Sequence, residues 1–276
     1  MRAKEQEFGT INCEDALLKL NKHYEELKIN NCSINVIDRM LERRFELMDF
    51  YNELDNLANS REDVIYRFIE SILLAVAHWG PEESAKAREA KKRLKEINAD
   101  IARKAAELAS LLDERLNIDG LSGVSDNTNN CVCQTLEIAA QANENYYYIF
   151  HVQEKVRRLY CQYDYKYWPT LSEFIYEVAR DAECAKIDNT NEVTAEATFG
   201  KRGSDKDFLR ALTQRIKLEN VPDLPRIPLL KDFSDKAVAS LVNCVLDLQP
   251  EKLKDAAYIK RYRQGERERK RNLDSI

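Results

Sequence analysis

Apolar residues recur along this chain every three or four positions, the interval that lines one face of a helix. The first such run predicts a helix over 14–29, ended by Asn30-Asn31. A second begins at Ser33 or Asn35 and reaches about Leu57, with Ile37, Leu41, Phe45, Met48 and Leu54 on its stripe. Ser60-Arg-Glu-Asp63 opens a third, which ends at Gly80. Ser60 can cap it, and the early acids suit the positive end of the helix dipole. Pro81 then stands in the first turn of a fourth, where a missing N–H does no harm. That helix carries on to Leu116, a length of about 50 Å at about 1.5 Å per residue.

The seam of the fourth helix is Ala90, Leu94, Ile97, Ile101, Ala105, Leu108 and Leu112. Its mean step is about 3.7 residues, against about 3.5 in a left-handed coiled coil. The seam therefore predicts packing against helices of the same chain.

Beyond it, 117–130 carries Gly120, Gly123, serines and an Asp-Asn-Thr-Asn-Asn run, and reads as a linker. Helical pattern resumes near Val132 and extends as far as Tyr165, where Trp168-Pro169 stops it. Thr170-Leu-Ser-Glu173 matches a capping box and starts a helix to about Lys186. Residues 187–203 are polar and irregular. Ser204 opens a helix to Glu219, Ser234 one to about Leu248, and Pro250 the last.

Residues 10–79 contain neither Gly nor Pro, and no long alternation of apolar and polar residues suggests a sheet. The expected fold is all-α: a multi-helix bundle of eight to nine helices, one very long helix near 82–116, and little or no sheet. The expected organisation is an N-terminal bundle over 1–118, a linker over 119–131, and a C-terminal helical domain over 132–276 ending in a basic helix or tail.

Composition changes this picture little. An apolar fraction of 44% can fill a core, and 33% charged residues suit solvated helix faces. The seven cysteines are odd in number and irregular in spacing, which favours reduced thiols over a disulfide framework. The N-terminus lacks the apolar stretch of a signal peptide. The most apolar window, 64–79, is interrupted by Arg67, Glu70 and His78, too charged to span a bilayer. A cytoplasmic protein without membrane contact is expected. Charge is uneven: the net −5 includes an excess of Lys and Arg over Asp and Glu within 251–276.

Signatures of catalysis are scarce. The three histidines, His23, His78 and His151, form no H-E-x-x-H pair. They also lack the short Arg-to-His spacing of HEPN-type ribonucleases, since Arg67 and Arg115 are the nearest arginines before His78 and His151. There is no phosphate loop, dinucleotide turn or nucleophile elbow. Gly200-Lys-Arg-Gly203 follows no strand and reads as a loop. Cys131-Val-Cys133 supplies two of the four ligands a closed zinc site needs. His151 and Glu154 do not form the doubled Glu-x-x-His of diiron bundles. No catalytic residue, metal site or cofactor is expected.

Two segments carry recognition chemistry. Between Tyr146 and Trp168 stand nine aromatics, with Lys155, Arg157, Arg158 and Lys166 among them. Such residues pack helices together, anchor protein interfaces, or stack on unpaired bases. Tyr146, Tyr147 and Tyr148 span about 200° of a helix, so they cannot all face one core. The partner-binding candidates are Tyr147, Tyr148, Lys155, Arg157, Arg158, Tyr160 and Trp168. The second segment is the basic C-terminus, with Lys260, Arg261, Arg263 and Arg267 as polyanion-binding candidates and the cations after Gly265 expected to fray. The expected function is that of a non-enzymatic helical interaction protein, an accessory or scaffold subunit contacting other protein subunits. The alternative is a nucleic-acid-binding subunit using 146–168 and the basic C-terminal helix.

Overall fold

The computed structural model describes the backbone of 2–27, 31–119, 121, 123–125, 127–129, 131–163, 167–200 and 203–274. Within these it describes the side chains of all but 2–12, 27, 31–32, 160–161 and 273–274. The all-α class holds: the described residues form helices and no strand. In chain order they are α1 (Arg2–Leu27), α2 (Asn31–Glu42), α3 (Met48–Leu57), α4 (Glu62–Trp79), α5 (Pro81–Ile118), α6 (Val132–Ala142), α7 (Tyr146–His151), α8 (Gln153–Gln162), α9 (Leu171–Cys184), α10 (Glu192–Ala197), α11 (Asp205–Glu219), α12 (Asp235–Val245) and α13 (Ala256–Asp274).

Thirteen described helices replace the expected eight to nine, because the chain breaks helices without using Gly or Pro. The second expected helix divides at 43–47, where Leu47 N–H bonds back to Arg43 and Arg44 carbonyls. That turn shifts the phase of the stripe. Phe45, expected inward, is 74% exposed, while Leu47, Phe50, Tyr51 and Leu54 are buried. The Tyr51 hydroxyl then donates to Met40 O at 3.0 Å and fastens α3 to α2. The segment expected as one helix from Val132 divides into α6, α7 and α8. Glu144 adopts a positive φ of 51°, and the Asn145 side chain accepts from Tyr148 N, starting a new helix. Asn side chains compete with helical hydrogen bonds in this way. The thirteenth helix, α10, lies inside 187–203 and is capped by Asn191, which accepts from Thr194 N at 2.8 Å.

Other boundaries follow their local chemistry. The capping box at Thr170 is present in both directions, with Glu173 N to Thr170 Oγ1 at 3.2 Å and Thr170 N to Glu173 Oε2 at 2.7 Å. Ser234 caps α12 through Ala237 N. The long helix is α5, with Pro81 at its first position. Helix α13 continues through Gly265 to Asp274, so the expected fray after Gly265 is absent. The cause is an ion-pair network that holds its second half.

The chain forms two compact units, Met1–Glu89 with Asn189–Ile276, and Ala90–Asp188. The first owns the large core, which joins Leu17 and Leu20 of α1 to Phe50, Phe68, Phe208, Leu241 and Ile259. This core draws on residues from both sides of the expected 119–131 boundary. At its centre Phe233 lies 5.4 Å from the Phe50 ring and 5.2 Å from that of Phe68. Arginines secure its loops. Arg67 donates to the Pro225 carbonyl at 2.7 Å, and Arg39 to that of Val245 at 3.0 Å.

The same unit buries Asp207 completely. It pairs with Arg88 and, at 3.4 Å, with Arg210, and accepts from Ser204 N at 2.8 Å. Arg210 continues to Glu266 at 2.7 Å, Glu266 to Arg269 at 2.8 Å, and Arg269 to Glu196 at 2.6 Å. The Phe199 ring lies within 5.6 Å of the Arg210 guanidinium and 4.7 Å of that of Arg269. This chain of charges ties α13 to α10 and α11.

Buried thiols are expected to make the fold sensitive to alkali. Burial, aided by Asp55 and Glu14, pushes Cys13 from 9.0 up to about 12, and burial pushes Cys244 up to about 11. A group whose folded value is raised lends stability below its unfolded value and loses it as pH rises through the folded one. The urea midpoint is therefore expected to hold near pH 8 and to fall between about pH 9 and 12. At pH 8 an alkylating reagent should modify exposed Cys184 and spare Cys13 and Cys244 until the chain unfolds.

Candidate interaction site

The Ala90–Asp188 unit has a different balance of surface and core. Its described buried residues are Ala109, Cys133, Ala140, Ser172 and Ala179, none larger than cysteine. Its large apolar side chains are outside. On α5, Leu94, Ile101, Leu108 and Leu111 are exposed, Leu111 by 62%. The small-residue side of α5 is the one that faces a neighbour. Ala99, Ala102 and Ala106 line a groove of about 880 Å³ together with Ala179 and Ala182 of α9. Of the seam expected to pack within the chain, Leu94, Ile101 and Leu108 are left exposed and Ile97, Ala105 and Leu112 are half-buried, while the alanines beside it line the groove shared with α9. Leu94, Ile101 and Leu108 stand seven residues apart, so they form a stripe along one side of the helix.

The aromatic segment adds a second open face. Tyr147 is 83% exposed and Phe150 75%, and Tyr146 stacks on Phe150 at 6.2 Å. Tyr148 turns inward and is half-buried. Burial, with Glu137 and Cys133 near, raises its hydroxyl above the usual value. The three adjacent tyrosines therefore differ in exposure, Tyr146 and Tyr147 open and Tyr148 half-buried, as the helix geometry demands. Glu137 of α6 receives Arg157 and, at 2.6 Å, Gln153, which joins α6 to α8. The Arg157 bond, with that of Gln153, holds the Glu137 carboxyl below its ordinary range.

The remaining candidates in this segment differ in role. Lys155 is exposed on α8, and Arg158 pairs with Glu154 at 2.6 Å. Trp168 is half-buried, and its Nε1 has no partner among the described residues. The side chain of Tyr160 lies outside the described residues, as do Tyr165 and Lys166. His151 and Glu154 fall in separate helices, and neither faces a buried site. Burial and neighbouring Cys131 raise the Cys133 thiol. Among the described residues no three His, Cys, Asp or Glu side chains converge as a metal site requires.

On α13 the basic candidates separate. Arg263 is committed to the fold: it donates to the Leu230 and Phe233 carbonyls, each at 2.9 Å, and pairs with Asp235 at 2.9 Å. Lys260, Arg261 and Arg267 are exposed and form no ion pair among the described residues. No described helix is long and apolar enough to cross a membrane.

No family model matches the chain, and neither a curated protein nor a solved structure does. The site must be read from its own geometry. Sequence reasoning placed the contact surfaces after the linker and missed the α5 stripe. The sevenfold spacing of Leu94, Ile101 and Leu108 was the available signal.

Proposed function

We propose that this protein is a non-enzymatic helical interaction protein, an accessory or scaffold subunit that docks other protein subunits through its Ala90–Asp188 unit. One observation carries the reading: that unit orders five helical segments while burying no described side chain larger than cysteine. Fixing a backbone costs about 1–2 kcal/mol per residue, and burial of apolar surface is the main opposing term. Large exposed apolar surface marks interaction sites. Leu94, Ile101, Leu108, Tyr147 and Phe150 are the residues offered, and large aromatics are frequent anchors of interfaces.

Affinity purification of the full chain from its native cell tests this. Stoichiometric protein partners are expected, and a lone monomer under conditions that preserve complexes contradicts the reading.

The second reading, nucleic-acid binding, draws support from Lys260 and Arg261, two exposed cations on an ordered helix. It requires binding of short DNA or RNA that weakens steeply with salt, and no binding at low salt removes it.

A further inference from the structure

One face of α13 bears Ile259, Tyr262, Arg263, Glu266, Arg267 and Lys270, an interval pattern of three and four. This face forms one wall of a cavity of about 230 Å³ in the Met1–Glu89 with Asn189–Ile276 unit. Its interior is apolar, made by Leu229, Leu230, Val238, Ile259 and Tyr262. Around it stand Lys217 of α11, Lys231, and Arg267 and Lys270 of α13. None of these four cations forms an ion pair among the described residues. The carboxylate in the lining, Glu266, is already engaged by Arg210 and Arg269.

Long cationic side chains often cover apolar surface with their stems. That accounts for their presence but not for their heads. Lys217 and Lys270 both line this cavity, and their like charges repel. Burial first, then Lys270 and Arg269, lower the Lys217 amine below its usual value, against the opposing pull of Glu196. An anion between the two amines would turn this repulsion into two charge-assisted hydrogen bonds.

We propose that this cavity binds a single-chain anionic amphiphile, its acyl chain among Leu229, Val238, Ile259 and Tyr262 and its carboxylate between Lys217 and Lys270. Three features select this class. About 230 Å³ lies below the roughly 300–1,000 Å³ of drug-sized sites, which favours one short chain over a two-chain lipid or a nucleotide. The walls are aliphatic apart from the Tyr262 ring, and the Thr213 hydroxyl is already donated to Leu209 O at 2.7 Å. A peptide backbone would therefore find few partners for its own polar groups. The lining joins an apolar interior to cations that outnumber its one carboxylate, matching a molecule with an apolar tail and an anionic end.

The proposal concerns a different unit from the docking surface and stands without it. Titration calorimetry of the full chain with decanoate, below its micelle concentration, tests it. Saturable binding of one decanoate per chain is expected. The variant K217Q/K270Q, altered at two positions outside the core, should keep its thermal melt and bind at least tenfold more weakly. Acetate, which has the head without the tail, and decyltrimethylammonium, which has the tail with the opposite charge, should give no saturable binding.

The proposal is overturned if the unaltered chain takes up no decanoate, or if K217Q/K270Q binds decanoate as tightly. Equal binding of decyltrimethylammonium or of acetate also overturns it. So does sedimentation with phosphatidylglycerol vesicles without uptake of monomeric decanoate, which would assign the cations to a lipid headgroup.

Discussion

Replacing Leu94, Ile101 and Leu108 together by glutamate should abolish assembly with the protein partner and leave the isolated chain as stable as before. In most proteins three Leu or Ile to Glu changes on one helix would be ruinous, because core truncations alone cost about 2–5 kcal/mol each. Here all three side chains are exposed, and surface changes usually stay within about ±0.5 kcal/mol. Glutamate also forms helices well, so α5 should persist. In a complex, by contrast, each carboxylate would be buried without a partner. Interface anchors commonly contribute about 2 kcal/mol or more, so loss of three should weaken binding by at least about a thousandfold. Circular dichroism melts and sedimentation of the recovered complex separate the two effects. A variant that unfolds would show that the stripe is core. A variant that still assembles would move the docking surface elsewhere.

The second large effect is expected at Asp207. Its side chain is fully buried between Arg88 and Arg210, which are themselves mostly buried. Asp207→Ala leaves the Arg88 guanidinium without its counter-charge, takes one of two carboxylate partners from Arg210, and leaves Ser204 N without its acceptor. Removing one member of a buried pair costs about 3–5 kcal/mol, a large share of the roughly 5–15 kcal/mol that holds a domain together. The loss should appear as a marked fall in the urea midpoint. The double variant Arg88→Met with Asp207→Leu should recover part of it, because apolar replacement of both partners removes the stranded charge. Glu154→Ala is the control. Its pair with Arg158 is exposed and should contribute no more than about 0.5 kcal/mol.

Much of the fold was legible because its signals are local. Pro81, Thr170 with Glu173, and Ser234 each act within four residues, and each begins or caps a helix where the sequence places it. Helix count was less legible. The breaks at 43–47 and at Glu144 use ordinary residues whose conformation is fixed by what they pack against or bond to, as Tyr51 does to Met40. Such partners are set by tertiary structure, which overrides local propensity.

The candidate surfaces were legible in residue type but not in role. Basic character on α13 was visible, yet Arg263 differs from Arg267 through the carbonyls of Leu230 and Phe233 and the carboxylate of Asp235, some thirty residues away. The buried network escaped notice because Asp207 reads as an ordinary acid in a first helical turn. Its burial depends on Arg88, 119 positions earlier. On α5 the periodicity identified an apolar seam, but no period states which side of a helix meets its own chain and which is left for another.

Amide hydrogen exchange on the complex recovered from the native cell, compared with the free chain, tests the central claim most directly. Fast exchange in the free chain over 94–118 and 146–151 should become slow in the complex, while the core around Phe50, Phe68 and Phe233 stays unchanged. Equal exchange over those two segments in both states, or protection gained only in the Met1–Glu89 with Asn189–Ile276 unit, would contradict the claim that the Ala90–Asp188 unit is completed by a partner.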